Sequence, residues 1–465
     1  MSTKLSEKPI RIAVLGGSCT GKTAFISRLT IDIVHEVHYP TREQTNWLFT
    51  YNPHDPVARA ILDERAHERC YYNNNNSIEE AVFKTPNIKD DVLLSPLIYQ
   101  SFIEDYHHIR SSVESGQRSF DQKLLLKSDN PYYQYVPKSD DTTRKRANRR
   151  ASIGFHMTDI SLKHENKQVL PSVYEPPRYT DILIDIIDTP GFNPDMIVPF
   201  LEVSLFSNLD KSVLRGLADQ PRTPVSTQSM LVASGASELN GMIDGYIIVY
   251  SAIPELNHPD PPDYGSSSSA HHDQNKSIGK TPSPLYNEEK LKSTLIKNDL
   301  TTDSSDGGFS LLHAIRSCFL DAWTEFRNYQ RRWIQRNESD AYSLNYIFKH
   351  SWKSEQDYNQ KIKALSLFNA PVDQIDLNPE SPDSPPPILI VCTHIMDPLH
   401  SPMLVDWGKK LAVEWNCGFV ALDSMVDVNV DIAMSCMIRD IVEKEKLSKK
   451  HSTKKKSVLQ KIIKG

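Results

Sequence analysis

The clearest chemistry in the chain lies in eight consecutive residues, GGSCTGKT, running from Gly16 to Thr23. Gly16, Gly21, Lys22 and Thr23 satisfy the spacing G-x-x-x-x-G-K-[ST], in which glycines let backbone N–H groups turn inward on an anion at a positive helix end. Lys22 supplies a cation that bridges β- and γ-phosphates, and the Thr23 hydroxyl is a hard oxygen suited to Mg²⁺. Gly16, Gly17, Ser18, Cys19, Thr20, Gly21, Lys22 and Thr23 are therefore the candidate phosphate-binding residues. The ordinary alternative is a glycine turn before an amphipathic helix. Context argues against it, because IRIAVL (10 to 15) reads as a buried strand and AFISRLTIDIV reads as the helix that this motif requires.

Two more segments supply matching oxygen and backbone groups. Thr41 lies nineteen residues beyond Lys22 in HYPTREQ, and Asp188 ends an apolar strand pattern in DILIDIIDTPGF, with Gly191 three residues on. An aspartate at a strand's C-terminal end can hold a metal shell, and a glycine N–H can meet a γ-phosphate because no side chain intervenes. Taken singly, each segment also reads as a plain loop or turn. In this order, GGSCTGKT, YPT and DTPG resemble the phosphate loop and the two switch entrances of the Ras-like small GTPases.

The resemblance implies an α/β Ras-like P-loop fold, with a mostly parallel central sheet and helices on both faces. It also implies GTP/GDP as ligand and Mg²⁺ as cofactor, with Thr23, Thr41 and Asp188 on the metal and Lys22, Thr41 and Gly191 at the γ-phosphate. The likeness continues in the apolar strands DGYIIVYSA (244 to 252) and PPILIVCTHIMD (386 to 397), and in a final helix, strand and helix. That last helix carries Val430, Ala433, Met434, Met437, Ile438 and Ile441 at helical spacing. At the base-recognition end it implies roles for His394, Asp397 and Ser424.

Several positions depart from the family. His394 and Ile395 stand where the N-K-x-D motif has asparagine and lysine, and Asp423, Ser424 and Met425 replace Ser-Ala-Lys. Val34 stands where many relatives place an aromatic ring, and Ser18 where glycine is frequent. Phe192 follows D-x-x-G in place of the water-orienting glutamine, so hydrolysis should be slow unless Arg215, Arg222 or a partner supplies a group. The expected function is a GTP/GDP-binding switch with slow turnover. A pseudo-GTPase or nucleotide-locked scaffold is the alternative, and an ATPase or kinase using the same loop is a third.

The segments that match the family are 8–45, 156–195, 238–254 and 387–446, one domain's worth of chain divided by insertions. Residues 46–155 form a first insertion, 196–237 enlarge the second switch, 255–386 form a second insertion, and 447–465 read as a basic tail. HMTDISLKHENKQ (156 to 168) reads as the second strand of the domain. Within the insertions, Ser95-Pro96 opens a helix with Leu97, Ile98, Phe102, Ile103 and Ile109 on one stripe. A second helix from Phe309 to Trp333 carries Leu312, Ile315, Phe319, Ala322 and Phe326, and is expected to cover the sheet. Each stripe suits core packing or a docking face. Residues 255 to 308 have the composition of a flexible loop, in which His271 and His272 lack a spaced third metal ligand.

Bulk properties bound the rest. A formal net charge of -6 over 465 residues excludes a surface built wholly for nucleic acid. The six cysteines are scattered without CxxC pairs, which fits a reducing compartment. MSTKLSEKP has no signal-peptide core, Ser2 stands where myristoylation needs glycine, and QKIIKG has no cysteine to prenylate. The expectation is a soluble, cytoplasmic protein with protein effectors and regulators. The basic tail would give weak electrostatic membrane contact without a lipid anchor, or direct nuclear import. RKRANRRAS (144 to 152) offers Ser152 to a basophilic kinase.

Overall fold

The computed structural model describes residues 9–34, 41, 44–115, 125, 127–136, 169–191, 243–254, 306–334 and 376–464. Its centre is strand β1 (Ile10–Gly16), followed by helix α1 (Lys22–Ile31), β2 (Thr45–Tyr51), α2 (Pro56–Leu62), α3 (Ala66–Asn73), β3 (Asn87–Lys89), β4 (Val92–Leu93) and α4 (Pro96–Glu114). A short ladder, β5 (Tyr135–Val136) and β6 (Arg178–Tyr179), precedes β7 (Ile182–Asp188) and β8 (Gly245–Ser251). The chain then forms α5 (Leu311–Ile334), β9 (Ile388–Thr393), α6 (Pro402–Trp415), β10 (Gly418–Ala421) and α7 (Val430–Lys464).

The result is an α/β architecture around an eight-stranded sheet of order β2-β7-β1-β8-β9-β10-β4-β3. β7, β1, β8, β9 and β10 are parallel, while β2, β4 and β3 attach antiparallel at the two sides. A parallel strand buried on both faces reads as a continuous apolar run, as β1, β8 and β9 do. Their alternate residues feed two cores. Ile12, Val14, Ile247, Val249, Leu389 and Val391 face α1, α2, α4 and α7, whereas Ala13, Leu15, Tyr246, Ile248, Ile390 and Cys392 face α5 and α6. Helices therefore cover both faces of the sheet. On the second face Phe319 of α5 packs edge-on to Tyr246 with ring centroids 4.8 Å apart, so α5 covers the sheet as its periodicity suggests.

The strand beside β7 is β2, which pairs along its whole length from Thr45↔Asp188 to Tyr51↔Ile182, although its residues from Asn46 onward were counted in the first insertion. Its side chains alternate, with Trp47, Phe49 and Tyr51 turned to the core and Asn46, Leu48 and Thr50 exposed at the sheet edge, an aromatic period of two that the sequence reading did not use. The strand expected at 156 to 168 lies outside the described residues.

Much of the 46–155 segment also belongs to the main body, not to a separate insertion. Val57, Ala58, Ile61, Leu62, Ile98 and Phe102 bury in the same core as the sheet and α7. The Tyr51 hydroxyl donates to Asp431 O at 2.9 Å, and the Asp431 carboxylate accepts the His54 and Asp55 N–H groups. Ser95 caps α4 by accepting from Ile98 N–H, as expected, and Leu97, Ile98, Phe102 and Ile109 are buried. Lys/Glu-rich sequence with good helix propensity carries α7 through the expected tail to Lys464. Among the described residues no helix is long and apolar enough to cross a membrane.

The expectations for Ser152, Phe192, the 196–237 enlargement, Arg215, Arg222, and His271 with His272 fall outside the described residues, as do the side chains of Phe326 and Trp333 and those of the basic tail from 451 on.

Candidate functional site

β1 lies between β7 and β8, at the point where the chain's crossovers diverge to opposite sides, so a crevice opens beyond its C-terminal end. GGSCTGKT occupies that position. Gly21 precedes α1 with φ +83°, a left-handed conformation that costs glycine nothing, and Cys19 shares that region at φ +59°. Thr20 Oγ1 donates back to Gly17 O at 3.0 Å and closes the loop.

Lys22 is almost fully buried and donates to Gly16 O at 3.0 Å and Gly17 O at 2.6 Å, so its ammonium lies folded over the loop. Burial lowers its pKa to about 8, against the opposing pull of Asp188 and Cys19. Burial also raises the Cys19 thiol, offset in part by Lys22.

Beside it, three oxygens from distant segments meet. The Thr23 hydroxyl donates to Asp188 Oδ2 at 2.6 Å and lies 2.9 Å from the Thr41 hydroxyl. Since Thr23 has one proton and gives it to Asp188, Thr41 donates to Thr23. Asp188 is 1% exposed and its other oxygen, Oδ1, has no partner. Burial raises its pKa, against the Thr23 hydrogen bond and Lys22. A buried, half-satisfied carboxylate beside two hydroxyls is a donor set of hard oxygens, suited to Mg²⁺ that keeps waters and phosphate ligands. Among the described residues no group of three or more His, Cys, Asp or Glu could hold a metal by itself.

Asp188 and Gly191 bracket a turn fixed by Thr189, whose hydroxyl donates to Val14 O at 2.7 Å. Gly191 sits so close to Ser18 that a β-carbon there would overlap Ser18 Oγ. The two expected phosphate-contacting segments are thus adjacent.

On the other side of β1, Thr393 Oγ1 donates to Thr20 O at 2.8 Å and links the end of β9 to the glycine-rich loop. His394 follows with φ +61°, its Nδ1 2.9 Å from Ser251 Oγ, and its ring lies against Gly21. Asp397 Oδ1 accepts Leu399 N–H at 2.8 Å, within its own turn. Asp423 holds the two loops together, accepting Met396 N–H at 3.2 Å on Oδ2 and Met425 N–H at 2.9 Å on Oδ1. Ser424 is buried and its hydroxyl has no partner. Arg28 of α1 donates from Nε to Ser424 O at 2.7 Å and from Nη2 to Met425 O at 2.8 Å.

The structure brings together Lys22, Thr23, Thr41 and Asp188, which the sequence singled out, and adds four neighbours that it did not: Arg28, Ser251, Thr393 and the turn before α5. Gly308 and Leu311 of that turn lie against Thr20 and Gly17, and Asp306 caps it through Ser310 N–H at 2.8 Å. Asp306 followed by two glycines was the available turn signal.

No family model matches the chain. It is 49% identical over 451 residues to the uncharacterized protein YPR084W of Saccharomyces cerevisiae, an alignment covering 96% of this chain and 90% of the yeast protein. The chain belongs to the family of that yeast protein.

Proposed function

We propose that this family binds a nucleoside di- or triphosphate with Mg²⁺ at the crevice beyond β1, through a Ras-like P-loop domain acting as a molecular switch. The observation that carries the reading is the convergence of Thr23, Thr41 and Asp188, with Asp188 Oδ1 left unpartnered, beside a buried Lys22 in a glycine-rich loop. Strand order supports it, since five parallel strands with an antiparallel β2 at the edge place all three segments at one end of the sheet.

Bound Mg²⁺ would neutralise phosphate charge. The protein's part is to hold the phosphates with loop N–H groups and Lys22, whose release from Gly16 O and Gly17 O redirects its ammonium to a stronger acceptor. Thr41 comes from the segment before β2, so its contact ties that segment's position to what occupies the site. Gly191 beside Ser18 gives the β7 turn the same dependence. The resemblance implies guanine as the base. Hydrolysis is slow, because Phe192 offers no group to orient water.

The test is to purify the full chain, denature it and identify any released nucleotide, then repeat with Lys22→Ala. Stoichiometric nucleotide from the wild type and little from the variant is expected. Empty protein that also fails to bind added nucleotide with Mg²⁺ would reject the reading.

A further inference from the structure

A second opening lies at the other end of the sheet. Ile388 begins β9 and Cys417 directly precedes β10, so the N-terminal ends of these parallel strands, opposite the glycine-rich loop, border a cavity of about 70 Å³. Arg316 and Phe319 of α5, Trp415 of α6, Lys444 of α7 and the three prolines 385–387 contribute to its walls. A cavity needs about 10 to 15 Å³ to hold one water, so this one has room for roughly five to seven heavy atoms.

Two cations and one acid line it. Lys444 is committed, because its ammonium donates to Pro379 O, Ser381 O and Ser384 Oγ and so uses its three protons. The acid, Asp440, is buried and accepts the Ser95 hydroxyl, and burial pushes its carboxyl up to about 7. Arg316 differs. Its guanidinium lies 4.6 Å from the centroid of the Trp415 ring, which His313 meets edge-on at 5.5 Å, and among the described residues it has no hydrogen bond and no ion pair. Glu414 on the exposed side of α6 attracts it without pairing.

Arg316 therefore offers one positive charge and a planar fork of N–H donors, which matches both oxygens of a carboxylate. The remaining walls are largely apolar, since Phe319 is buried there and the prolines bring no N–H donor. One unpaired cation beside Asp440 balances a single negative charge, whereas a doubly charged phosphate would stay uncompensated. We propose that this cavity binds a short monocarboxylic acid, its carboxylate in the fork of Arg316 and its hydrocarbon chain among Phe319, Leu320 and the prolines. The inference is independent of the nucleotide-binding reading, because none of the cavity's residues belongs to that site.

The test titrates the full chain by calorimetry, below pH 7, with pentanoate, with pentanamide as its uncharged counterpart, and with inorganic phosphate. One pentanoate per chain is expected, with pentanamide weaker by about tenfold or more and phosphate weaker than pentanoate. Arg316→Gln should weaken pentanoate roughly 10- to 150-fold, the range for hydrogen bonds to a charged group. Arg316→Lys should weaken it too, because the fork is lost although the charge and the stem remain. No binding of pentanoate up to about 10 mM would overturn the inference. So would equal affinity for the amide, tighter binding of phosphate, or unchanged affinity in either variant. If circular dichroism shows that the variants fail to fold, the comparison of acid with amide on the wild type decides.

Discussion

The Thr23 hydroxyl donates to Asp188 Oδ2 at 2.6 Å across 165 residues of sequence, joining the first turn of α1 to the last residue of β7. Because Thr41 donates to the same oxygen of Thr23, three segments form one chain of hydrogen bonds that ends at Asp188 Oδ2 and leaves Oδ1 of the same carboxylate unpartnered.

That chain predicts a shared metal dependence. In the wild type, removing Mg²⁺ with a chelator is expected to speed nucleotide release. Thr23→Ala and Asp188→Asn should release nucleotide fast with or without the chelator, measured with a fluorescent diphosphate. Equal, slow release from wild type and variants in both conditions would contradict a metal at this site.

Lys22 sets a pH dependence for binding. Its pKa is lowered to about 8 by burial, and contact with phosphate raises it, so binding above that pH requires proton uptake. Affinity should be flat below about pH 8 and fall above it, by up to tenfold per unit. Lys22→Ala should lose roughly 10- to 150-fold in affinity, as for a hydrogen bond to a charged group, and lose the pH dependence. A wild-type profile flat through pH 9 would exclude a perturbed Lys22.

Two buried carboxyl groups give opposite signs in stability. Burial pushes Asp440 on α7 up to about 7, with a Ser95 hydrogen bond opposing, so its folded state holds a proton that the unfolded chain releases near its ordinary value. Its contribution is complete below about pH 3.9 and is lost as pH rises through 7, at most ~1.4 kcal/mol per unit. Burial would raise Glu64, but Arg439 and Lys446 outweigh it and hold it at about 2. Its contribution is present above about pH 4.3 and lost as pH falls towards 2. Asp440→Asn should flatten the decline in the urea midpoint between pH 4 and 7 and leave the acid limb intact. An unaltered neutral limb would remove Asp440 as its source.

Phe192 lies outside the described residues, but its chemistry is fixed by its side chain, which can neither donate to nor accept from water. Phe192→Gln is expected to raise single-turnover GTP hydrolysis without changing GTP affinity, each tenfold gain being ~1.4 kcal/mol of barrier. Rapid hydrolysis by the wild type would refute this. Hydrolysis absent from both, with GTP still bound, would favour the scaffold alternative.

Local sequence determined the glycine-rich loop, because GGSCTGKT lies between an apolar run and a helical pattern, and the structure has β1 and α1 there. It also determined β1, β8, β9 and the buried face of α7, since short continuous apolar runs and Ile, Val and Met at period 3.6 have few other ways to leave water. Ser95 with Pro96 marked the start of α4 for the same local reason.

Only the tertiary structure decided the rest. β2 carries an aromatic alternation at Trp47, Phe49 and Tyr51, but which strand it joins is set by seven positions of pairing with β7, which no local pattern names. The segment from α2 to α4 looked like an insertion because nothing in it matches the resemblance, yet its apolar residues bury against α7, 345 residues away at Ser95 and Asp440. Likewise, Arg28 read as a surface cation on α1 until the fold brought the carbonyls of Ser424 and Met425 to it. Hydrogen bonds between distant segments leave no periodic trace in sequence, so supports of this kind become visible only once the sheet has fixed which strand ends lie side by side.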